Sequence, residues 1–144
     1  MAEKLEAKHR GGTLASRRIE FGEHDDPMEV CFERGWSDGL PVTPPTDERV
    51  VRMLSGTQRA PHEIVGRIPP YLAECTVEKV AINAVLAGCK PEYMPVILAA
   101  LEAALEPVFT LHGVLATTYF SSPIVIVNGA IAKRIGTPFG QAST

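Results

Sequence analysis

The chain has 144 residues, room for one domain, and its 45% hydrophobic and 22% charged content lies near globular averages, which excludes wholesale disorder. A formal charge of −3 and a pI near 5.8 speak against a nucleic-acid or anionic-membrane binder, which would carry a basic excess, and a 6% aromatic content with one Trp speaks against base stacking. Three cysteines are too few, and of the wrong parity, for a disulfide-stapled secreted scaffold, and the opening MAEKLEAKHR has no apolar signal-peptide core, so a cytoplasmic protein is expected.

Charge is distributed unevenly: ten of the fourteen Lys and Arg residues lie at or before Arg67, and none of Lys, Arg, Asp or Glu occurs from Pro107 to Ala132. This predicts a solvated N-terminal part and a buried C-terminal part. Residues 1–26, with mixed charges and the Gly11-Gly12 pair, read as a flexible arm. Pro27 at a first helical position and Gly35 as a stop predict a short helix over Met28–Arg34. The stretch Trp36-Ser37-Asp38-Gly39-Leu40-Pro41, followed by Pro44-Pro45, reads as an ordered loop. Thr46 caps a predicted helix to about Leu54, whose first turn holds Asp47 and Glu48 where the helix dipole favours acids. A short strand is expected at Glu63–Ile68.

The clearest predicted element is Thr76–Ala87, where Val77, Val80, Ala81, Ala84 and Val85 recur at helical spacing between an N-capping Thr76 and a stop at Gly88. A second helix is expected from Pro91 to about Leu105, with Pro95 still in its first turn. Val108–Tyr119 and Ile124–Val127 read as β-like runs, the latter as a strand buried on both faces. Glu102 and Glu106 in one apolar run, and His112 and Pro123 in the other, count against membrane spans. Residues 27–136 form the expected single domain and 137–144 a tail.

Phosphate-cradling loops, the dinucleotide fingerprint, H-E-x-x-H and C-x-x-C are all absent from the sequence, and no metal-ligand spacing stands out. What remains is a set of polar residues in apolar surroundings. Cys75 precedes the first long helix and Cys89 the second, positions where a dipole stabilises a thiolate, although free cysteines, Cys31 among them, are more often small buried hydrophobes. About twelve helical residues, roughly 18 Å at about 1.5 Å each, separate Cys75 from Cys89, so a disulfide between them is not expected. Glu78, Lys79 and Asn83 form the polar side of the first helix: Glu78 is a candidate proton carrier, Lys79 a candidate cation, and Asn83 a hydrogen-bonding group, against the ordinary alternative of a solvated face. His112 is expected in a strand, as a proton carrier or a hydrogen-bonded core residue. Asn128-Gly129 closes the second strand, as a substrate-binding corner or a simple turn.

The strings RGWSDGLPVTPPTDERV (Arg34–Val50), TVEKVAINAVLAGCKPEYMPVILAALEA (Thr76–Ala103), LHGVLATT and PIVIVNG (within Leu111–Gly129) resemble the front half of bacterial UGSC-type seleno/thiol family proteins, over about residues 29–135. Some longer members carry a downstream Sec/Cys-Gly-Ser-Cys motif that is absent here, so the resemblance transfers no selenol or dithiol role. It implies a short split chain whose fold a second polypeptide completes.

The expected fold is α/β or α+β, a helical middle segment packed on a small, mostly buried sheet after an irregular Pro-rich N-terminal region. The expected function is that of a subunit of a heteromeric bacterial enzyme acting on a small molecule by lyase or hydrolase chemistry near the subunit junction. Glu78, Lys79, Cys89 and His112 are its candidate catalytic residues, and Asn83, Asn128 and Gly129 its substrate contacts. No cofactor is implied. The alternatives are a non-catalytic subunit completing a partner's core, a homo-oligomer with a site between identical chains, and a thiol-dependent oxidoreductase.

Overall fold

The computed structural model describes residues 14–20, 22 and 24–136, so most of the arm expected at 1–26 and the tail at 137–144 lie outside the described residues. Helix α1 (Pro27–Glu33) starts where Asp26 accepts the Met28 amide and ends at Gly35, in the left-handed region. Helix α2 (Asp47–Leu54) follows the proline-rich loop and presents Val50, Met53 and Leu54 inward at the spacing of a single face. Strands β1 (Ile64–Ile68) and β2 (Ala73–Thr76) form an antiparallel hairpin, with Ile68 opposite Ala73 and an irregularity between Ile64 and Gly66. A side chain at Gly66 would run into Leu105, so β1 lies directly against the helix that carries it.

Helix α3 (Val77–Leu86) is the centre of the molecule. Thr76 Oγ1 accepts the Lys79 amide, while the Val77 and Glu78 amides donate to the carbonyls of Glu63 and Pro61 at 2.9 Å each, which satisfies the free donors of its first turn. At the other end Gly88 is left-handed, and the Gly88 and Cys89 amides return to Val85 and Ala84, the paired bonds of a Schellman stop. A 3-10 turn (Pro91–Tyr93) leads into α4 (Met94–Leu105). Helices α2, α3 and α4 close the main core around Leu54, Val77, Ala81 and Met94, each at most 1% exposed. Gly56 lies so close to the Pro91 carbonyl that a Cβ would collide with backbone, which sets how tightly the end of α2 abuts the 3-10 turn.

The architecture is α+β: helices around a two-stranded antiparallel sheet. The sheet corrects one expectation, because no residue of either strand is fully buried. The C-terminal region corrects two more. Val108–Tyr119 is not β-like but forms a 3-10 turn (Pro107–Phe109) and helix α5 (Leu111–Ala116), in which Leu111, Val114 and Leu115 share one side. Ile124–Val127 makes no strand: a strand's preference is for a pleated surface among neighbours, and no described strand pairs with it. Helix α6 (Ala130–Arg134) closes the described chain. Among the described residues no single helix is long and apolar enough to cross a membrane; Pro91–Leu105 and Pro107–Ala116 reach that length and composition only together, bent by 71°.

Candidate functional site

A concavity among the described residues is built around Glu78. Its position in the first turn of an otherwise apolar helix leaves it 3% exposed, not on the solvated face expected for it. The buried carboxylate faces the 14–20 segment, where Oε2 accepts the Ala15 amide at 3.0 Å and Oε1 the Ser16 amide at 2.8 Å. Leu14 packs on the core beside this pair, and Arg18 Nη2 reaches Asp47 Oδ2 at 2.7 Å on α2. The segment is therefore a strap fastened at two points. Burial pushes the Glu78 carboxyl up, but hydrogen bonding from Ser16 and the Ala15 amide outweighs it and holds the group below the usual carboxylate range. At neutral pH the carboxylate is ionised and has no proton to donate.

Between the strap, α1, the Pro44–Thr46 corner and α3 runs a groove of about 1030 Å³. Trp36, Ile82 and Leu86 contribute apolar surface, and Arg17, Arg18, Arg49 and Asn83 contribute polar groups. Arg49 Nη1 donates to the Pro44 carbonyl at 2.8 Å, which orients the guanidinium.

Of the residues nominated from sequence, Glu78 and Asn83 share this groove. Asn83 is exposed, with its Nδ2 donating to the Lys79 carbonyl at 2.8 Å and its side-chain oxygen left as an acceptor. Lys79 is outside the groove lining and donates through Nζ to the Glu74 carbonyl at 2.8 Å. Cys89 follows the α3 stop, half-buried against the core, and Cys75 is half-buried at the end of the hairpin. All three cysteines are free. Burial raises the Cys89 thiol; at Cys75 burial also raises it, against a smaller lowering by the Lys79 charge, so neither is activated in the way its position before a helix suggested. His112 is exposed on α5 rather than in a strand, and Asn128 and Gly129 are exposed ahead of α6 rather than at a strand end. These last residues are outside the groove lining as well. Among the described residues no group of three His, Cys, Asp or Glu side chains gathers as metal ligands would.

The strap itself, Trp36 and Arg49 were not singled out from sequence. The available signals were Leu14 and Ile19, isolated apolar residues in a charged arm, and an acid set among Val77, Val80 and Ala81 on an apolar helix. No family model matches the chain, and neither do the curated proteins or the solved structures.

Proposed function

We propose that this chain is a subunit of a heteromeric enzyme that acts on a small molecule by hydrolytic or lyase chemistry, with its active site near the junction with a second protein chain. One observation carries the reading: the uncharged stretch Tyr119–Val127 holds Phe120, Ile124 and Ile126 at 102%, 86% and 79% exposure. A run of β-branched residues such as Ile124–Val127 suits a strand covered on both faces, and large apolar side chains left this exposed suit an interface. The resemblance to the front half of UGSC-type proteins supports the same arrangement. Lys79, His112, Asn128 and Gly129 would then meet the substrate only in the assembly, with Lys79 as the charge-stabilising group and His112 as the proton carrier.

A second reading, a non-catalytic subunit that completes its partner's core, is favoured by the local engagement of Glu78, Lys79 and Asn83 in backbone hydrogen bonds. The raised thiols at Cys75 and Cys89 weigh against thiol-dependent oxidoreduction.

Native mass spectrometry of the protein isolated from its own host tests the assembly. The expected result is a heteromeric mass with a second co-purifying chain, lost on Ile126→Asp; a monomer or a homo-oligomer of this chain alone would overturn it. In the intact assembly, loss of turnover in Lys79→Ala or His112→Ala at unchanged mass supports the catalytic reading, whereas full turnover in both leaves the structural one.

A further inference from the structure

We infer that the groove beneath the 14–20 strap binds a small organic monocarboxylate with an apolar body. Every group that forms the site lies in this chain. The volume, about 1030 Å³, lies just above the roughly 300–1,000 Å³ of small-molecule pockets. Ile19, Met28, Trp36, Ile82 and Leu86 offer an apolar surface along it, and the single indole of the protein remains 42% exposed.

The lining holds four carboxylates and three arginines, so the ligand's sign is set by which groups still have free hydrogen-bonding capacity and not by net charge. Three of the four lining carboxylates are occupied: Asp26 accepts the Met28 amide, Asp47 pairs with Arg18, and Glu78 holds the strap amides. The fourth, Glu20, is exposed on the strap. Arg49 uses Nη1 on the Pro44 carbonyl, so its guanidinium is held in place with further N–H donors in hand, and Arg17 adds a second exposed guanidinium. A planar fork fixed at one end matches the two oxygens of a carboxylate. A phosphate dianion fits less well, because the adjacent α2 terminus already carries Asp47 and Glu48 in its first turn.

Calorimetric titration of the full chain with butyrate, octanoate and 3-phenylpropionate, each beside its neutral amide, and with 3-phenylpropylamine as the cationic control, tests the assignment. At least one of octanoate and 3-phenylpropionate should bind one per chain, at least tenfold tighter than its amide and than the amine. Its saturation should coincide with a change in Trp36 emission. Arg49→Gln should remove the carboxylate's advantage and leave amide binding unchanged. Arg49 is exposed, and circular dichroism checks that the variant folds; Arg17→Gln, on the strap, gives an independent loss of at least threefold. Equal binding of acid and amide, preference for the amine, binding by none of the acids, or an unchanged acid-to-amide ratio in both Arg variants would each overturn it.

Discussion

Residues 47–105 and 107–136 are comparably apolar, but they use that character differently. The first region gathers its aliphatic side chains from α2, α3 and α4 into one closed core. In the second, Ala132 alone is fully buried, and Val108, Phe120 and Ile124 stand in solvent. The difference teaches that hydrophobicity builds structure only where periodicity and capping bring a second apolar face into reach. Helix α3 has an N-cap, a Schellman stop and neighbours on two sides; Ile124–Val127 has β-branched composition and no neighbouring strand among the described residues.

Truncation should separate the two regions most strongly. Leu54, 1% exposed, is held within the core, so Leu54→Ala should destabilise the chain by about 2–5 kcal/mol in denaturant unfolding. Ile126→Ala removes exposed surface and should change the isolated chain by less than about 0.5 kcal/mol. A large loss for Ile126→Ala in the isolated chain would show that the second region has a packed interior of its own and would remove the contrast.

Next in size is the strap. Glu78→Gln keeps the shape but replaces one charged acceptor oxygen facing the Ala15 and Ser16 amides with a donor, and a buried amide left without its partner costs about 1–3 kcal/mol. Faster hydrogen exchange at those two amides, with α3 still protected, is the expected readout. The pH dependence has a definite sign. Because the folded carboxyl lies below its unfolded value, ordinarily about 4.3, its contribution is complete above that value and is lost as pH falls through the lower folded one. Wild type should therefore show no Glu78-dependent change between about pH 6 and 8 and a steeper acid limb than Glu78→Gln. Matching acid limbs would mean that the strap is not held by this carboxylate.

What was legible in the sequence divides along the same line. The helices that begin at Pro27, Asp47, Val77 and Pro91 are readable because their signals are local: a proline in a first turn, Thr46 or Thr76 ahead of it, a glycine after the end. Strand β1 was readable and β2 was not, since Ala-Glu-Cys-Thr has no alternation of its own and is a strand only through pairing with β1. The β-like reading of Val108–Tyr119 puts His112 in a strand, but the Leu111, Val114, Leu115 spacing is that of one helix side, and the chain follows it in α5. The site was less legible than the fold. Glu78 reads from the sequence as a candidate proton carrier, and the structure sets its carboxylate against backbone amides more than sixty residues away, a pairing no spacing rule reports.

The thiols sharpen the comparison by rate rather than by stability. Cys89 packs against the closed core and is raised by burial, so at pH 7.5 it should react with iodoacetamide more slowly than a free thiol of pKa about 8.5. The rate should climb as pH rises toward 9 and become ordinary on unfolding. Fast labelling of native Cys89 at pH 6.5 would instead reveal an activated thiolate and restore the thiol-dependent reading.

Within the first region, the smallest effect is expected where it is tied across its surface. Arg59 donates through Nε to Glu63 at 2.9 Å and through Nη1 to Glu102 at 2.5 Å, linking the loop before β1 to α4. All three side chains keep contact with solvent, and such pairs contribute about 0–1 kcal/mol because hydration competes with them and salt screens them. Arg59→Gln should therefore cost under about 1 kcal/mol, and the difference from wild type should shrink as sodium chloride is raised. A loss that persisted in high salt would place the Arg59 stem, not its charge, in the structural role, since aliphatic packing is not screened. In that case the first region would owe part of its closure to a residue outside the helical core, and the boundary between packed and unpacked surface would lie nearer the β1–α4 contact than the buried residues alone indicate.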